Sequence, residues 1–378
     1  MKKWAFVLVC VVLLALPAVG LADVAPPAQP PGSNLEPGWE GTQVRMETES
    51  VLLDVLAGGE DSLGQAQVTA EFTMRNLGGE AEQMAARFPI SANDGFFNYP
   101  EIKNLQVKVN GKTVPTRRIQ GEEPYFGSEQ VPWAEFDVTF PPGEEVNIRV
   151  SYVLDGTGYY PFTSFNYILS SGAGWKDSIG EADVIVRLPY EANVQNVLLP
   201  GDTGYWFTSA GAELEGNEVR WRFEDLEPTS EDNLRVEMVA PSLWQKAVRE
   251  QANVERDPQD GEAWGRLAKA YKESAFMPKE MRPDEGGLEL FELSEQAYEK
   301  CIELKPNDAE WHAGFAELYY FRHNTSRWEN PDDYSYALKA VELLKRAYEI
   351  NPRSAKALEL LEYFEWDEFV RREGEAYD

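Results

Sequence analysis

The side chains that could take part in catalysis are two histidines, His312 and His323, and a large excess of carboxylates. Serine and cysteine nucleophiles need a histidine beside them, and neither histidine has such a partner nearby in the sequence. The histidines and cysteines also lack the ligand spacing of a zinc site, and no glycine-rich phosphate loop or calcium loop occurs. Among 65 acidic residues some pair always has the spacing of a glycosidase site. We therefore predict that the protein is not an enzyme and uses no cofactor and no metal.

Aromatic residues between positions 158 and 175 could bind a ligand instead. This group consists of Tyr159, Tyr160, Phe162, Phe165, Tyr167 and Trp175. Exposed rings on a sheet can stack on sugar rings, which would make a cell-wall glycan the ligand. Aromatic residues are also common in strands because they pack well on a pleated surface, and Phe162, Phe165 and Tyr167 do not share one side of a strand. Core packing is therefore the favoured explanation.

The formal net charge of the chain is −30. A field of this sign repels nucleic acid and anionic lipid headgroups, so we expect neither as a partner. The acidic surface is otherwise expected to be solvated and to keep the protein in solution.

Residues 1–22 have the pattern of a secretory signal peptide. Lys2 and Lys3 precede an apolar run from Trp4 to Leu16, and small residues end at Ala22. The run is shorter than the roughly 20 residues that span a bilayer, so cleavage is expected, and no membrane insertion after it. We predict an exported protein, periplasmic or extracellular, with a proline-rich linker over 23–41. Cys301 is then the one remaining cysteine, and we expect it to be buried.

Residues 42–241 show short apolar–polar alternations that are separated by turn residues. Ala66–Met74 alternates with the period of a half-buried strand, Asn110-Gly111 is a strong hairpin signal, and Pro141-Pro142-Gly143 separates two further alternating runs. About ten strands with hairpin-type turns predict an antiparallel β-sandwich. The region resembles extracytoplasmic bacterial β-sandwich domains of unknown function in its segments 72–76, 88–90, 188–189 and 221–228.

Residues 242–378 have a helical period, and a helix is expected to begin at Pro241. A turn recurs at Asp257-Pro258, Lys305-Pro306 and Asn351-Pro352, at spacings of 48 and 46 residues. Each turn follows a helical run and precedes another. A helix–turn–helix unit that recurs in this way is typical of a helical solenoid.

The residues around these turns resemble the tetratricopeptide repeat. The matching positions are Trp264, Leu267, Ala268 and Tyr271, then Tyr298 and Cys301, then Phe315, Ala316 and Tyr319, and finally Ala340, Leu344 and Ala347. The resemblance implies a short tetratricopeptide-like α-helical array that binds other proteins. The units are longer than the usual 34 or so residues, and the excess falls near Phe276–Gly286 and His323–Asp333.

Insertions at one equivalent point of successive repeats emerge on the same face of a solenoid. We therefore place the predicted binding surface around these two insertions, at Tyr271, Phe276, Tyr320, Trp328 and Tyr334. Aromatic residues commonly anchor interfaces, but they can equally pack beneath a long loop and form its small core. Both explanations stay open from the sequence.

The sequence as a whole predicts a non-catalytic exported protein that mediates protein–protein interaction or scaffolding at the cell envelope. A protein partner would bind the helical repeats. The alternative is a carbohydrate-binding envelope protein whose aromatic-rich sandwich binds a cell-wall glycan.

Overall fold

The computed structural model describes residues 41–92, 100–123, 129–199, 207–277, 280–330 and 333–365, apart from the side chains at 328, 329, 364 and 365. The predicted signal peptide, 1–22, and all of the predicted linker except Gly41 lie outside the described residues. The described chain forms a sheet-rich N-terminal region followed by helices, so the prediction of a multidomain protein with α and β parts is confirmed.

The N-terminal region contains three sheets. Their strands are β1 (Val44–Leu56), β2 (Gln65–Asn76), β3 (Glu82–Pro89), β4 (Lys103–Val109), β5 (Lys112–Val114), β6 (Arg117–Glu122), β7 (Gln130–Phe140), β8 (Glu145–Asp155), β9 (Phe162–Tyr167), β10 (Ile179–Arg187), β11 (Glu213–Glu215), β12 (Glu218–Leu226) and β13 (Leu234–Val239). The large sheet has the order β11-β12-β10-β1-β2-β8-β4-β5, and the smaller sheets are β3-β7-β6 and β13-β9.

Two features of the strand pairing differ from the sequence prediction. β1 pairs with β10 in parallel, so the large sheet is mixed, and the expectation of a purely antiparallel arrangement is wrong at this pair. β7 and β8 flank Pro141-Pro142-Gly143 but do not pair with each other. β7 pairs with β3 and β6, whereas β8 pairs with β2 and β4. The segment at 141–143 is therefore a crossing between sheets, since alternation identifies strands but not their partners.

The three sheets share one hydrophobic core. Phe72 of the large sheet, Phe136 of the three-stranded sheet and Phe165 of the two-stranded sheet all lie in it. A break in register after Met46 shifts the alternation of β1 and directs Glu49 into this core, where it accepts a hydrogen bond of 2.8 Å from the hydroxyl of Tyr167. A bulge of this kind redirects side chains between the two faces of a sheet.

The C-terminal region is helical. Its helices are α1 (Pro241–Arg256), α2 (Gly261–Ala275), α3 (Glu285–Leu304), α4 (Ala309–Glu329), α5 (Ser335–Ile350) and α6 (Ala355–Glu365), and a short hairpin of β14 (Phe276–Met277) and β15 (Glu280–Met281) joins α2 to α3. The predicted helix start at Pro241 and the three predicted turns after α1, α3 and α5 are confirmed. Among the described residues no helix has the length and apolar composition needed to span a membrane.

Helices α2 and α3 form one packed pair, and α4 and α5 form a second. The small residues Ala268, Cys301, Ala316 and Ala347 are completely buried, which lets neighbouring helices approach closely. Burial raises the pKa of the Cys301 thiol to about 12, so it is a packing residue, as the sequence predicts. Alternate helices also contact one another: α2 contacts α4, and α4 contacts α6.

Arg282 joins the two regions of the protein. Its guanidinium is fully buried and donates to the backbone oxygens of Val194 at 2.9 Å and Gln195 at 2.8 Å, both in the N-terminal region. Nε donates to Asp284 at 2.8 Å, and Nη1 also donates to the backbone oxygen of Ser274. Because all these groups are buried and paired, the junction is specific in geometry.

Gly286, at the start of α3, lies directly against the same junction. A Cβ atom there would overlap the backbone carbonyl of Val194 and stand 2.7 Å from the Arg282 guanidinium. The first turn of a helix would otherwise favour alanine over glycine by up to about 1 kcal/mol. Glycine is therefore needed here because the N-terminal region approaches so closely.

We expect Gly286→Ala to lower the free energy of unfolding by about 1–3 kcal/mol, because overpacking at the junction outweighs the gain in helix propensity. Urea unfolding monitored by circular dichroism measures the change. Gly79→Ala is the matched control, since a Cβ there meets nothing within 4 Å. A Gly286→Ala protein as stable as the original would show that the junction yields without cost.

Candidate binding face of the helical array

Two of the five residues predicted to bind a partner are buried. Tyr271 of α2 is 7% exposed and Phe276 of β14 is 3% exposed. The ring of Phe276 packs against Phe321 at a centroid distance of 5.4 Å. Their placement at the surface was wrong, because both rings fill the space between helices and belong to the core of the array.

The other predicted residues are distributed differently. Tyr320 of α4 is half-buried and stacks on Tyr363 of α6, with ring centroids 5.7 Å apart and an interplanar angle of 22°. Tyr334 is half-buried, and its ring lies 5.7 Å from that of the buried His323. The side chain of Trp328 lies outside the described part of the chain. Among the predicted residues with described side chains, Tyr320 is therefore the one that stacks on an exposed ring, that of Tyr363.

The two segments predicted as insertions contact each other, which is consistent with the expectation that they lie on the same face. The first forms the hairpin β14–β15, and most of the second continues helix α4 to Glu329. The backbone NH of Met281 donates to the hydroxyl of Thr325 at 2.7 Å. The expectation of long loops was wrong for the described residues, because a hairpin and a longer helix satisfy the backbone within the segments themselves.

A charged row crosses α2, α4 and α6. Lys272 of α2 donates to Glu317 of α4 at 2.6 Å and to the backbone oxygen of Gly314 at 3.3 Å. The second oxygen of Glu317 forms an ion pair with Lys356 of α6. The row and the stack of Tyr320 on Tyr363 together define what we call the α2–α4–α6 face.

Burial and pairing oppose each other in this row. Burial disfavours the charge of Lys272, but the neighbouring Tyr298 and Glu317 outweigh it and raise the pKa of Lys272. Burial likewise acts to raise the pKa of Glu317, but Lys272 and Lys356 lower it below the ordinary value. Both groups are therefore charged at neutral pH, and the row holds two cations around one anion.

Sequence reasoning did not identify Lys272, Glu317, Lys356 or Tyr363. One signal was available, because the 48-residue spacing puts Lys272 at the same point of its unit as Tyr320. The ion pairs themselves join residues 45 and 39 positions apart, and only the packing of alternate helices brings them together. Periodicity can place such residues on one row, but it does not select their partners.

The aromatic group between 158 and 175 is mostly core. Phe162, Phe165, Tyr167 and Trp175 are buried, as the favoured explanation predicts. Tyr159 is 73% exposed and Tyr160 is 37% exposed. The rings that could stack on a sugar are thus reduced to these two neighbours.

The histidines occupy packing positions. His312 contacts the backbone oxygen of Pro306 through Nε2 at 3.2 Å, and burial lowers its pKa. His323 is buried beside Tyr334. Within the described segments, no group of three or more histidine, cysteine or acidic side chains is arranged to hold a metal ion.

No protein-family model and no curated protein matches the chain. Among solved structures, a candidate nutrient-binding protein from Legionella pneumophila is similar, at 17% identity and a TM-score of 0.46, over 72% of this chain and 99% of that one. An M1 zinc metallopeptidase from Deinococcus radiodurans, with peptide bound, matches at 11% identity and a TM-score of 0.26, over 52% of this chain and 42% of that one. Both likenesses are too distant to support a conclusion about this protein.

Proposed function

We propose that the protein is a non-catalytic, exported protein that binds another protein at the cell envelope through its helical array. In this proposal the sheet region is a β-sandwich that supports the array, and the array is a short tetratricopeptide-like repeat. Export rests on the signal-peptide pattern of residues 1–22, and the repeat assignment rests on the spacing of the proline turns.

The observation that carries the proposal is the stacked pair Tyr320 and Tyr363. Tyr363 is 41% exposed, and the two rings lie on neighbouring helices that the adjacent charged row helps to join. Large aromatic rings on a rigid support bind partners at a small entropic cost, and they are enriched among residues that dominate interface energies. The α2–α4–α6 face offers both features at one place.

The rigid junction at Arg282 is consistent with a scaffolding role. It fixes the array to the sheet region through buried hydrogen bonds, so a partner held on the array would also be oriented relative to the sheet region. A partner protein is favoured over a glycan for the main site, because four of the six sandwich aromatics are buried. Carbohydrate binding by Tyr159 and Tyr160 is the alternative.

We expect the double variant Tyr320→Ala, Tyr363→Ala to bind the partner at least ~30-fold more weakly, the effect of losing about 2 kcal/mol at an interface hot spot. The partner is first captured on the full-length protein from the native envelope fraction, identified, and purified. Its Kd is then measured by calorimetry against both proteins.

The control is Leu338→Ala, Tyr348→Ala, which removes two exposed apolar side chains of α5 outside this face. Equal Kd values for the two double variants would refute the assignment of the face. Retention of polysaccharide in place of a protein, lost on Tyr159→Ala, would favour the carbohydrate alternative.

A further inference from the structure

A cleft of about 290 Å³ lies where the N-terminal region meets helix α1. One wall is the loop of residues 57–64 between β1 and β2, and the other is the first two turns of α1. Its volume is at the lower end of the roughly 300–1,000 Å³ that is usual for small-molecule sites. A ligand that filled it would therefore be small.

The helical wall is a single polar stripe. Ser242, Gln245, Lys246 and Arg249 line the cleft, and their spacing of three, four and seven residues places them on one side of α1. The opposite side of α1, which includes Trp244, packs into the core of the helical region. The stripe presents two cationic groups and two neutral groups to the cleft.

The loop wall carries the opposite charge. Glu60 and Asp61 line the cleft, and Asp61 has a φ of 53°, in the left-handed region. The loop is tied to the helix at its base, because the hydroxyl of Ser242 donates to the backbone oxygen of Ser62 at 3.0 Å. The carboxylates are thus held on a short loop that is anchored to the helix carrying the cations.

The two walls place opposite charges on one cleft without a direct ion pair between them. In the part of the chain that the structure describes, no ion pair joins Lys246 or Arg249 to Glu60 or Asp61. Tyr160 lines the cleft as well, and burial together with a hydrogen bond to Asp61 raises the pKa of its hydroxyl. Tyr160 therefore stays protonated and adds a ring beside the acidic wall.

We propose that this cleft binds a small zwitterion, an α-amino acid or a dipeptide. The carboxylate of the ligand pairs with Lys246 and Arg249, and its ammonium group pairs with Glu60 and Asp61. Charge-assisted hydrogen bonds at both ends make the site specific for molecules that carry both charges. A neutral sugar forms no ion pair with either wall, and a simple anion can pair only with the cationic wall.

The test uses L-alanine and L-alanyl-L-alanine as probes, with calorimetry on the full-length protein. Each probe is compared with its N-acetylated form, which lacks the ammonium group, and with its amide, which lacks the carboxylate. We expect the free forms to bind and each blocked form to bind at least about tenfold more weakly, since a hydrogen bond to a charged group contributes about 1.5–3 kcal/mol.

Two variants test which wall of the cleft binds the carboxylate and which binds the ammonium group. In the variant Lys246→Gln, Arg249→Gln, the free dipeptide should bind only as weakly as its amide binds the original protein. In the variant Glu60→Gln, Asp61→Asn, it should bind only as weakly as the N-acetyl form does. Lys345→Gln, Arg353→Gln removes two exposed cations elsewhere in the array and should leave binding unchanged. The proposal is overturned if neither free probe binds, if the blocked forms bind equally well, or if binding survives both cleft variants in folded protein.

Discussion

Replacing Arg282 with methionine is expected to lower the free energy of unfolding by about 3–5 kcal/mol, the usual cost of removing one partner from a buried ionic group. Methionine fills part of the space but donates no hydrogen bond. The carboxylate of Asp284 and the backbone oxygens of Val194 and Gln195 would then be buried without their donor. Urea unfolding followed by tryptophan fluorescence and circular dichroism measures the loss.

The same substitution should also uncouple the two regions. If the junction at Arg282 makes the sheet region and the array unfold together, its removal should separate the fluorescence and circular-dichroism transitions. Arg346→Met is the matched control, because Arg346 forms an exposed pair with Glu349, and such pairs contribute at most about 1 kcal/mol. A loss no larger than that of the control would mean that water replaces the lost donors.

The helical region could be predicted from the sequence to a large extent. Proline fixes the backbone locally and cannot continue a helix, so the turns at Pro258, Pro306 and Pro352 fall where expected. The positions of the small residues at helix crossings could be predicted from the spacing of the helical pattern. The form of the insertions could not, because nothing in the spacing distinguishes a hairpin at Phe276–Met281 from a loop.

The strand pairing of the sheet region could be predicted from the sequence only in part. Asn110-Gly111 specifies its hairpin locally, with φ values of 49° and 75°, and β4 pairs with β5 around it as expected. The partners of β7 and β8 depend on how the sheets close round their common core. Glu49 is a further case, since only the register break in β1 places this acid among apolar residues.

For the candidate binding face, the sequence prediction included Tyr320 but not Tyr363, the ring on which it stacks. Tyr271 and Tyr320 look alike as aromatic residues near insertions. The first is 7% exposed and lies in the core, whereas the second stacks on Tyr363 at the surface. Exposure depends on which helices lie alongside, and that information is non-local.

The second large effect is expected in the charged row of the α2–α4–α6 face. Glu317→Gln should lower the free energy of unfolding by about 3–5 kcal/mol, because it leaves the buried Lys272 without a countercharge. Lys272→Met should cost less, about 1–3 kcal/mol, because Glu317 keeps its ion pair with Lys356. The order of the two losses therefore distinguishes a shared anion from an isolated ion pair.

Combining the two substitutions tests this reasoning further. The double variant Lys272→Met, Glu317→Gln buries no uncompensated lysine in α2, so it should be more stable than the sum of the single losses predicts, by at least about 1 kcal/mol. Glu349→Gln, at the exposed pair with Arg346, serves as the control for removing a carboxylate and should change stability by less than about 0.5 kcal/mol. Additive losses, or a Lys272→Met loss larger than that of Glu317→Gln, would show that Glu317 does not hold α2, α4 and α6 together. The tyrosines that we propose to bind a partner would then lack one of their supports, because the ion pair of Glu317 with Lys356 is one of the contacts that join α4 to α6 beneath Tyr320 and Tyr363.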